Sequence, residues 1–327
     1  MHERSPYALK RPDFAALAQA YPPLRPFVSK TRNGAVLNFK NPRAVRELTY
    51  AMLSCDFGIR LEIPLSSLCP TVPGRLDYVL HIEDLVGSDD SRDVRGIDIG
   101  TGSSCIYPLL ACERNPRWHF IALETDKRSI AFAQSNVERN NMQDRIRVVR
   151  STETAPLLAV VEDGPGQAGA DGSFDFCMCN PPFYKDPEQI EQSRKAKSTA
   201  PAAVCMGTSG EMITDGGEVA FVSRMVHESL VLRGRVRWYS SLLGFRSSAR
   251  AIETLLRIEG VPVVRCDAFR QGPTTRWVVA WSFGTPESAE PAGSPSDSAE
   301  LPSHLAGSKR KAPPDEPESE ARRARRV

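Results

Sequence analysis

The sequence predicts an α/β chain: a doubly wound, Rossmann-like sheet, mostly parallel, behind an N-terminal helical extension. Three observations carry this. From Val94 onward, short apolar runs rich in β-branched residues alternate with amphipathic stretches. The first run ends in a glycine turn, Gly100-Thr-Gly102. The fourth runs directly into Asn180-Pro181-Pro182-Phe183, a rigid loop where an open α/β sheet exposes its crevice.

The elements follow in order. Val94–Ile99 is the first strand and Trp118–Leu123 the second. Lys127–Asn140 is a helix with Ile130, Ala133 and Val137 on one stripe. Ile146–Val149 and Phe174–Cys179 are the third and fourth strands. Helix Val219–Leu232, strand Val236–Ser240, helix 248–259, strand Val263–Cys266 and strand Thr275–Phe283 complete the series. Residues 150–173, glycine-rich at their end, read as a poorly ordered connection. Ahead of the sheet, Asp13 caps a short helix, Phe14–Ala20. Asn41 caps a longer one that begins with Pro42 and ends at Gly58. Pro64, Pro70 and Pro73 read as joints. The expected divisions are therefore 1–92, a basic helical extension; 93–284, the Rossmann-like domain; and 285–327, a tail.

Composition narrows the class. Of 327 residues, 41% are hydrophobic and 25% charged, which suits a soluble core. The absence of a run of 18 apolar residues excludes a helical membrane span, and the start has no secretory h-region. The eight cysteines form no CxxC pair and read as reduced, buried thiols, with no metal site. Residues 1–60 carry ten Lys/Arg against four acids, a distribution that points to a polyanionic partner. Residues 285–327 hold seven prolines and no aromatic, which predicts disorder. Within them Lys309-Arg310-Lys311 and Arg322-Arg323-Ala-Arg325-Arg326 resemble a nuclear localisation signal, so a nuclear location is expected.

Three motifs carry chemistry. In Gly96-Ile-Asp98-Ile-Gly100-Thr-Gly102-Ser-Ser-Cys105, two glycines let the backbone approach a ligand closely. Cys105 stands where a dinucleotide fingerprint has its third glycine. With Asp98 before the turn, the pattern resembles instead the first motif of S-adenosylmethionine (SAM) methyltransferases. Glu124 ends the second strand, 22 residues after Gly102, where an acid accepts both ribose hydroxyls of a nucleoside. In the third motif the Asn180 side-chain oxygen and the Pro181 carbonyl are acceptors for the two N–H bonds of an exocyclic amine. Phe183 offers a face on which a base stacks. The ordinary alternatives are a glycine turn, a strand-end acid and a proline-rich turn. Their occurrence together at successive strand ends favours a site.

Asn-Pro-Pro-Phe marks amino-directed methyltransferases. The wider chain resembles the eukaryotic U6 small nuclear RNA (U6 snRNA) adenine N6-methyltransferase family, related to bacterial 23S rRNA adenine N6-methyltransferases. The matching stretches include Arg11–Ala15, Leu37–Lys40, Pro70–Pro73 with Arg75, Gly96–Leu110, Phe176–Phe183, Arg237–Ser240 and Arg276–Phe283. The resemblance implies that Arg75 binds the SAM carboxylate, Gly100 and Gly102 form the cofactor loop, Glu124 holds the ribose, and Asn180 touches both cofactor and adenine. It implies RNA contacts from Lys40, Arg194, Lys195, Lys197 and Arg276, with structured RNA, U6 snRNA foremost, as the partner. The family's lysine–threonine gating pair is represented here by Thr154 alone. Two other readings stay open: methylation of a protein glutamine or DNA adenine, and an RNA-binding module whose catalytic site has decayed.

Overall fold

The structure, a computed structural model, describes residues 1–285 apart from 11, 33, 88, 90, 153, 163–171, 196–206, 208 and 273. The expected tail and its basic clusters lie outside the described residues.

The N-terminal segment opens with α1 (Pro6–Leu9) and α2 (Phe14–Ala20). Asp13 caps α2 by accepting from the Ala15 and Ala16 amides. A hairpin follows, β1 (Val28–Thr31) against β2 (Gly34–Leu37), which the sequence reading did not contain. Helix α3 (Pro42–Phe57) starts on the Asn41 cap and stops at Gly58, whose φ of 66° is left-handed. Helix α4 (Val72–Val86) corrects the reading of Pro73 as a joint, while Pro64 and Pro70 do lie in the non-helical chain ahead of it. Pro73 sits in its first turn, where the missing N–H has no intrahelical acceptor in any case.

Seven strands form the sheet: β3 (Val94–Ile99), β4 (Trp118–Glu124), β5 (Ile146–Arg150), β6 (Phe174–Cys179), β7 (Val236–Leu243), β8 (Val263–Gln271) and β9 (Thr274–Ser282). Their order is β5-β4-β3-β6-β7-β9-β8. The pairs from β5 through to β7 are parallel, and β9 runs antiparallel to both β7 and β8. Chain order reverses between β3 and β6, which places the crevice of a doubly wound sheet at their carboxyl ends. The intervening helices are α5 (Ile106–Arg114), α6 (Lys127–Arg139), α7 (Pro187–Lys195), α8 (Ser209–Met212), α9 (Gly217–Leu232) and α10 (Arg246–Ile258). Strand β8 runs five residues past the expected Cys266, because β8 and β9 continue as an exposed two-stranded ribbon.

Each sheet face has its own core. One buries Phe120, Phe176, Trp238 and Val278 under α4 and α5, and the apolar residues of α3 and of 59–63 belong to the same cluster. The N-terminal segment thus shares a core with the sheet. The opposite face buries Ile97, Tyr239, Val279 and Trp281 under α9 and α10. Part of the connection expected to be poorly ordered joins that second core. Leu158 and Val161 are buried, and the Leu157 and Leu158 amides donate to the Glu228 carboxylate at 2.9 Å. Not every cysteine is buried as expected: Cys55 is exposed, Cys69 and Cys266 are half-buried, and Cys205 lies outside the described residues.

Gly96 is required by packing. A Cβ there would lie 2.3 Å from Cζ of Phe176, whose ring stands among Trp118 and Phe120. Gly96→Ala is expected to cost about 1–3 kcal/mol through overpacking. Thermal unfolding measures it; an unchanged Tm would contradict this seating of Phe176.

Candidate active site

Strand register brings the three motifs to one line. Ile99 pairs with Leu123 on one side and Cys179 on the other. The residues that follow, Gly100, Glu124 and Asn180, therefore leave three adjacent strands at the same level. Gly100 and Gly102 turn the chain with φ of 73° and 64°. The Gly100 and Thr101 amides donate to the Leu123 carbonyl at 3.0 and 2.9 Å. The Gly102 amide donates to Glu124 Oε2 at 2.8 Å. Glu124 Oε1 accepts from the amides of Thr125 and Asp126, so its carboxylate is fixed facing the glycine loop.

Asp98 lies just inside that rim, 1% exposed. Among the described residues neither of its oxygens has a hydrogen-bond partner, nor has the Thr101 hydroxyl. Burial pushes its pKa up to about 7; nearby Thr101 and Arg75 pull it down and the Glu124 charge pushes it up. Arg75 comes from α4 and faces the same region. Its Nη1 donates to the Tyr107 hydroxyl at 2.5 Å, its guanidinium stacks on the Tyr107 ring at 5.3 Å, and its buried Nε has no partner.

The acceptor loop is braced from below. The Cys179 amide donates to the Tyr78 hydroxyl at 3.2 Å. Tyr78 donates to Ser240 Oγ at 2.9 Å, and Ser240 donates to the Cys177 carbonyl at 3.0 Å. This fully buried chain of hydroxyls ties the last turn of β6 to α4 and β7. Asn180 follows immediately, with Oδ1 buried and unpartnered. Phe183 packs beside Gly244, and the Arg276 guanidinium lies over its ring, 5.1 Å from the centroid. Beneath Gly244, Glu218 is 2% exposed and accepts from the Gly244 and Phe245 amides at 2.7 and 3.1 Å. Burial raises its pKa, while Ser248, these amides and Arg276 lower it.

A family model described as RNA methyltransferase matches residues 1–285. The chain belongs to that family.

Among its relatives, the mouse "RNA N(6)-adenosine-methyltransferase METTL16" is 45% identical over 86% of this chain and 51% of its own length. The "U6 small nuclear RNA (adenine-(43)-N(6))-methyltransferase" of Caenorhabditis elegans is 39% identical over 86% of this chain and 62% of its own. The chain thus spans about half to three-fifths of the curated relatives it matches. The human METTL16 catalytic domain in complex with MAT2A 3'UTR hairpin 1 superposes with a TM-score of 0.79, at 42% identity, over 90% of this chain and 99% of that one. The N-terminal domain of human METTL16 in complex with SAH gives a TM-score of 0.73, at 43% identity, over 87% and 99%.

The residues present fit the SAM expected of this family. Buried polar atoms left without partners, namely both Asp98 oxygens, Thr101 Oγ, Arg75 Nε and Asn180 Oδ1, line the glycine turn. An unpaired carboxylate and an unpaired guanidine nitrogen suit a ligand that carries both an ammonium and a carboxylate. SAM is such a ligand, and Glu124 stands ready for its ribose.

Of the other expected residues, Arg276 alone reaches the site, against Phe183. Thr154 is exposed in the turn 152–155 after β5. Lys40 is exposed at the entry to α3, its amide held by Asn38. Arg194 and Lys195 end helix α7, and Lys197 lies outside the described residues. Arg276 is not a surface cation: it is partly buried against Phe183, and burial and the nearby Arg75 charge lower its pKa. Sequence reasoning missed Tyr78, Tyr107 and Glu218. Only Glu218 left a trace, as an acid directly after two glycines at a helix start.

Proposed function

We propose that this chain transfers the methyl group of SAM to the N6 amine of an adenosine splayed out of a structured RNA, with U6 snRNA as the first substrate to test. The observation that carries this reading is the buried, unpartnered Asn180 Oδ1, one residue beyond the Tyr78-braced strand end and level with Gly100 and Glu124. SAM supplies an electrophilic methyl on a sulfonium. Everything else falls to the chain's own atoms. Asn180 Oδ1 and the Pro181 carbonyl accept the two amine N–H bonds, which draws the nitrogen lone pair out of conjugation and aims it. The two prolines hold those acceptors in set directions. No strong base is needed before attack, because the nitrogen's proton becomes acidic once it is alkylated and then passes to solvent.

Support for RNA comes from the basic N-terminal segment, where Lys30, Arg32 and Lys40 are exposed, and from relatives whose names state RNA substrates. The test is transfer of labelled methyl from SAM to a U6 transcript and to the same transcript with its target adenosine replaced. Label that vanishes with the adenosine is expected. SAM binding without label on any RNA would sink the reading.

We also propose nuclear import through the basic clusters at 309–311 and 322–326. Fusing 285–327 to a fluorescent protein tests it, and a fusion that stays evenly distributed would reject it.

A further inference from the structure

The Phe183 ring is covered from two directions. A Cβ on Gly244 would meet Phe183 Cδ1 at 3.0 Å, so the β7–α10 turn lies tight against the ring. The Arg276 guanidinium lies over the ring at 5.1 Å. That turn is itself clamped by the buried Glu218 carboxylate through two backbone amides. The guanidinium is a planar cation of roughly the thickness of a base, and it covers a face of the ring on which a base could otherwise stack.

Its tether is weak. Its Nη1 donates to the Thr275 carbonyl at 3.2 Å, beside its own residue, and among the described residues it has no carboxylate within ion-pair distance. It sits between the like charge of Arg75, which repels it, and the buried Glu218 carboxylate, which attracts it without an ion-pair contact. Arg276 pairs in register with Phe269 near the tip of the β8–β9 ribbon, where Asp267, Ala268, Arg270 and Gly272 are exposed. A guanidinium held by stacking and one neighbouring carbonyl, with no ion pair, moves readily to an anion, since a bidentate bond to phosphate is stronger than cation–π stacking.

We propose that Arg276 is the residue that makes this site specific for a base presented on a phosphate backbone: it covers Phe183 in the free protein and uncovers it when a phosphate draws the guanidinium away. A bare nucleoside, or a neutral amide side chain, has to displace the cation unaided. This inference rests on the adenine reading of the pocket and adds the coupling between backbone capture and pocket opening. Phosphate contact and stacking cap are the same side chain, so RNA binding and pocket access cannot be separated in the wild type. Arg276→Ala separates them.

The experiment compares wild type, Arg276→Ala and Arg276→Lys, each saturated with S-adenosylhomocysteine. Labelled adenosine binding is read by equilibrium dialysis, and binding to a U6 hairpin over a salt series. In Arg276→Ala, adenosine should bind about three- to thirty-fold more tightly, the worth of one cation–π cap, while the hairpin binds more weakly with a salt slope reduced by about 1. Arg276→Lys keeps the charge and loses the planar cap, so adenosine should tighten while the hairpin's salt slope stays near wild type. A purely structural arginine would weaken both ligands together. Adenosine binding that is unchanged, weaker or undetectable in both variants would overturn the proposal. Failure of the adenine reading shows separately, as absence of methyl transfer to RNA by the wild type.

Discussion

Asn180→Ala should reduce methyl transfer by about 100-fold or more while leaving hairpin affinity within a few fold, because a fixed polar partner at the reacting group is typically worth that much in kcat. The reason lies in placement. Asn180 Oδ1 is buried and has no hydrogen-bond partner among the described residues, so its hydrogen-bonding capacity is open to what enters the pocket. Removing it frees the amine to stay conjugated with its ring, and the lone pair is no longer aimed. Phe183→Ala should be comparably inactive, since it removes both the stacking face and the wall against Gly244. Single-turnover transfer at saturating RNA separates chemistry from binding. If either variant methylates at the wild-type rate, the acceptor pocket lies elsewhere.

Asp98 predicts an unusual pH dependence. Its pKa in the folded protein, about 7, lies well above the ordinary carboxylate value. Between those two values the native state holds a proton that the unfolded chain releases. Stability of the unliganded protein is therefore fullest at low pH and falls as pH rises towards 7, by at most about 4 kcal/mol from this group, levelling off above. Asp98→Asn should remove that loss, so the variant is more stable than wild type at pH 8 without cofactor. Its SAM affinity should be much weaker, because the ionised carboxylate is the counter-charge the ligand's ammonium needs. Wild-type SAM affinity should rise with pH up to about 7, up to tenfold for each pH step, and then flatten. Denaturant melts across pH and calorimetric titration of SAM read both effects. An Asp98→Asn protein that is no more stable than wild type at pH 8 would show that the carboxylate is not held at a cost.

Much of this site was legible because its parts obey local rules. Glycines at left-handed φ, an acid at a strand end and a proline-fixed loop after an apolar run each leave a mark at fixed spacing, and β3 and β6 fall at their expected boundaries. The cap residues Asp13 and Asn41 were readable for the same reason. Helix α4 was not. It is buried on nearly every side, with eleven buried residues, so it has no polar face to set a stripe, and its prolines read as breaks. Tyr78 and Arg75 went with it, one as a brace never suspected and the other placed only by resemblance. Glu218 and the Arg276–Phe183 stack depend on segments far apart in the chain, and no periodicity in the sequence reports such meetings.

The hydroxyl chain from Tyr78 to Ser240 also sets an order of events in synthesis. Its two ends are 162 residues apart, and its bond to Cys179 spans 101. At about 5–20 residues per second, α4 leaves the ribosome roughly 10–30 s before its partner strand β7 exists. Through that interval a helix with scarcely any polar face has only part of its sheet, the strands up to β6, to cover it. The acceptor loop is therefore among the last parts of the molecule to take shape, and a nascent chain halted before Ser240 presents sticky apolar surface with no organised pocket.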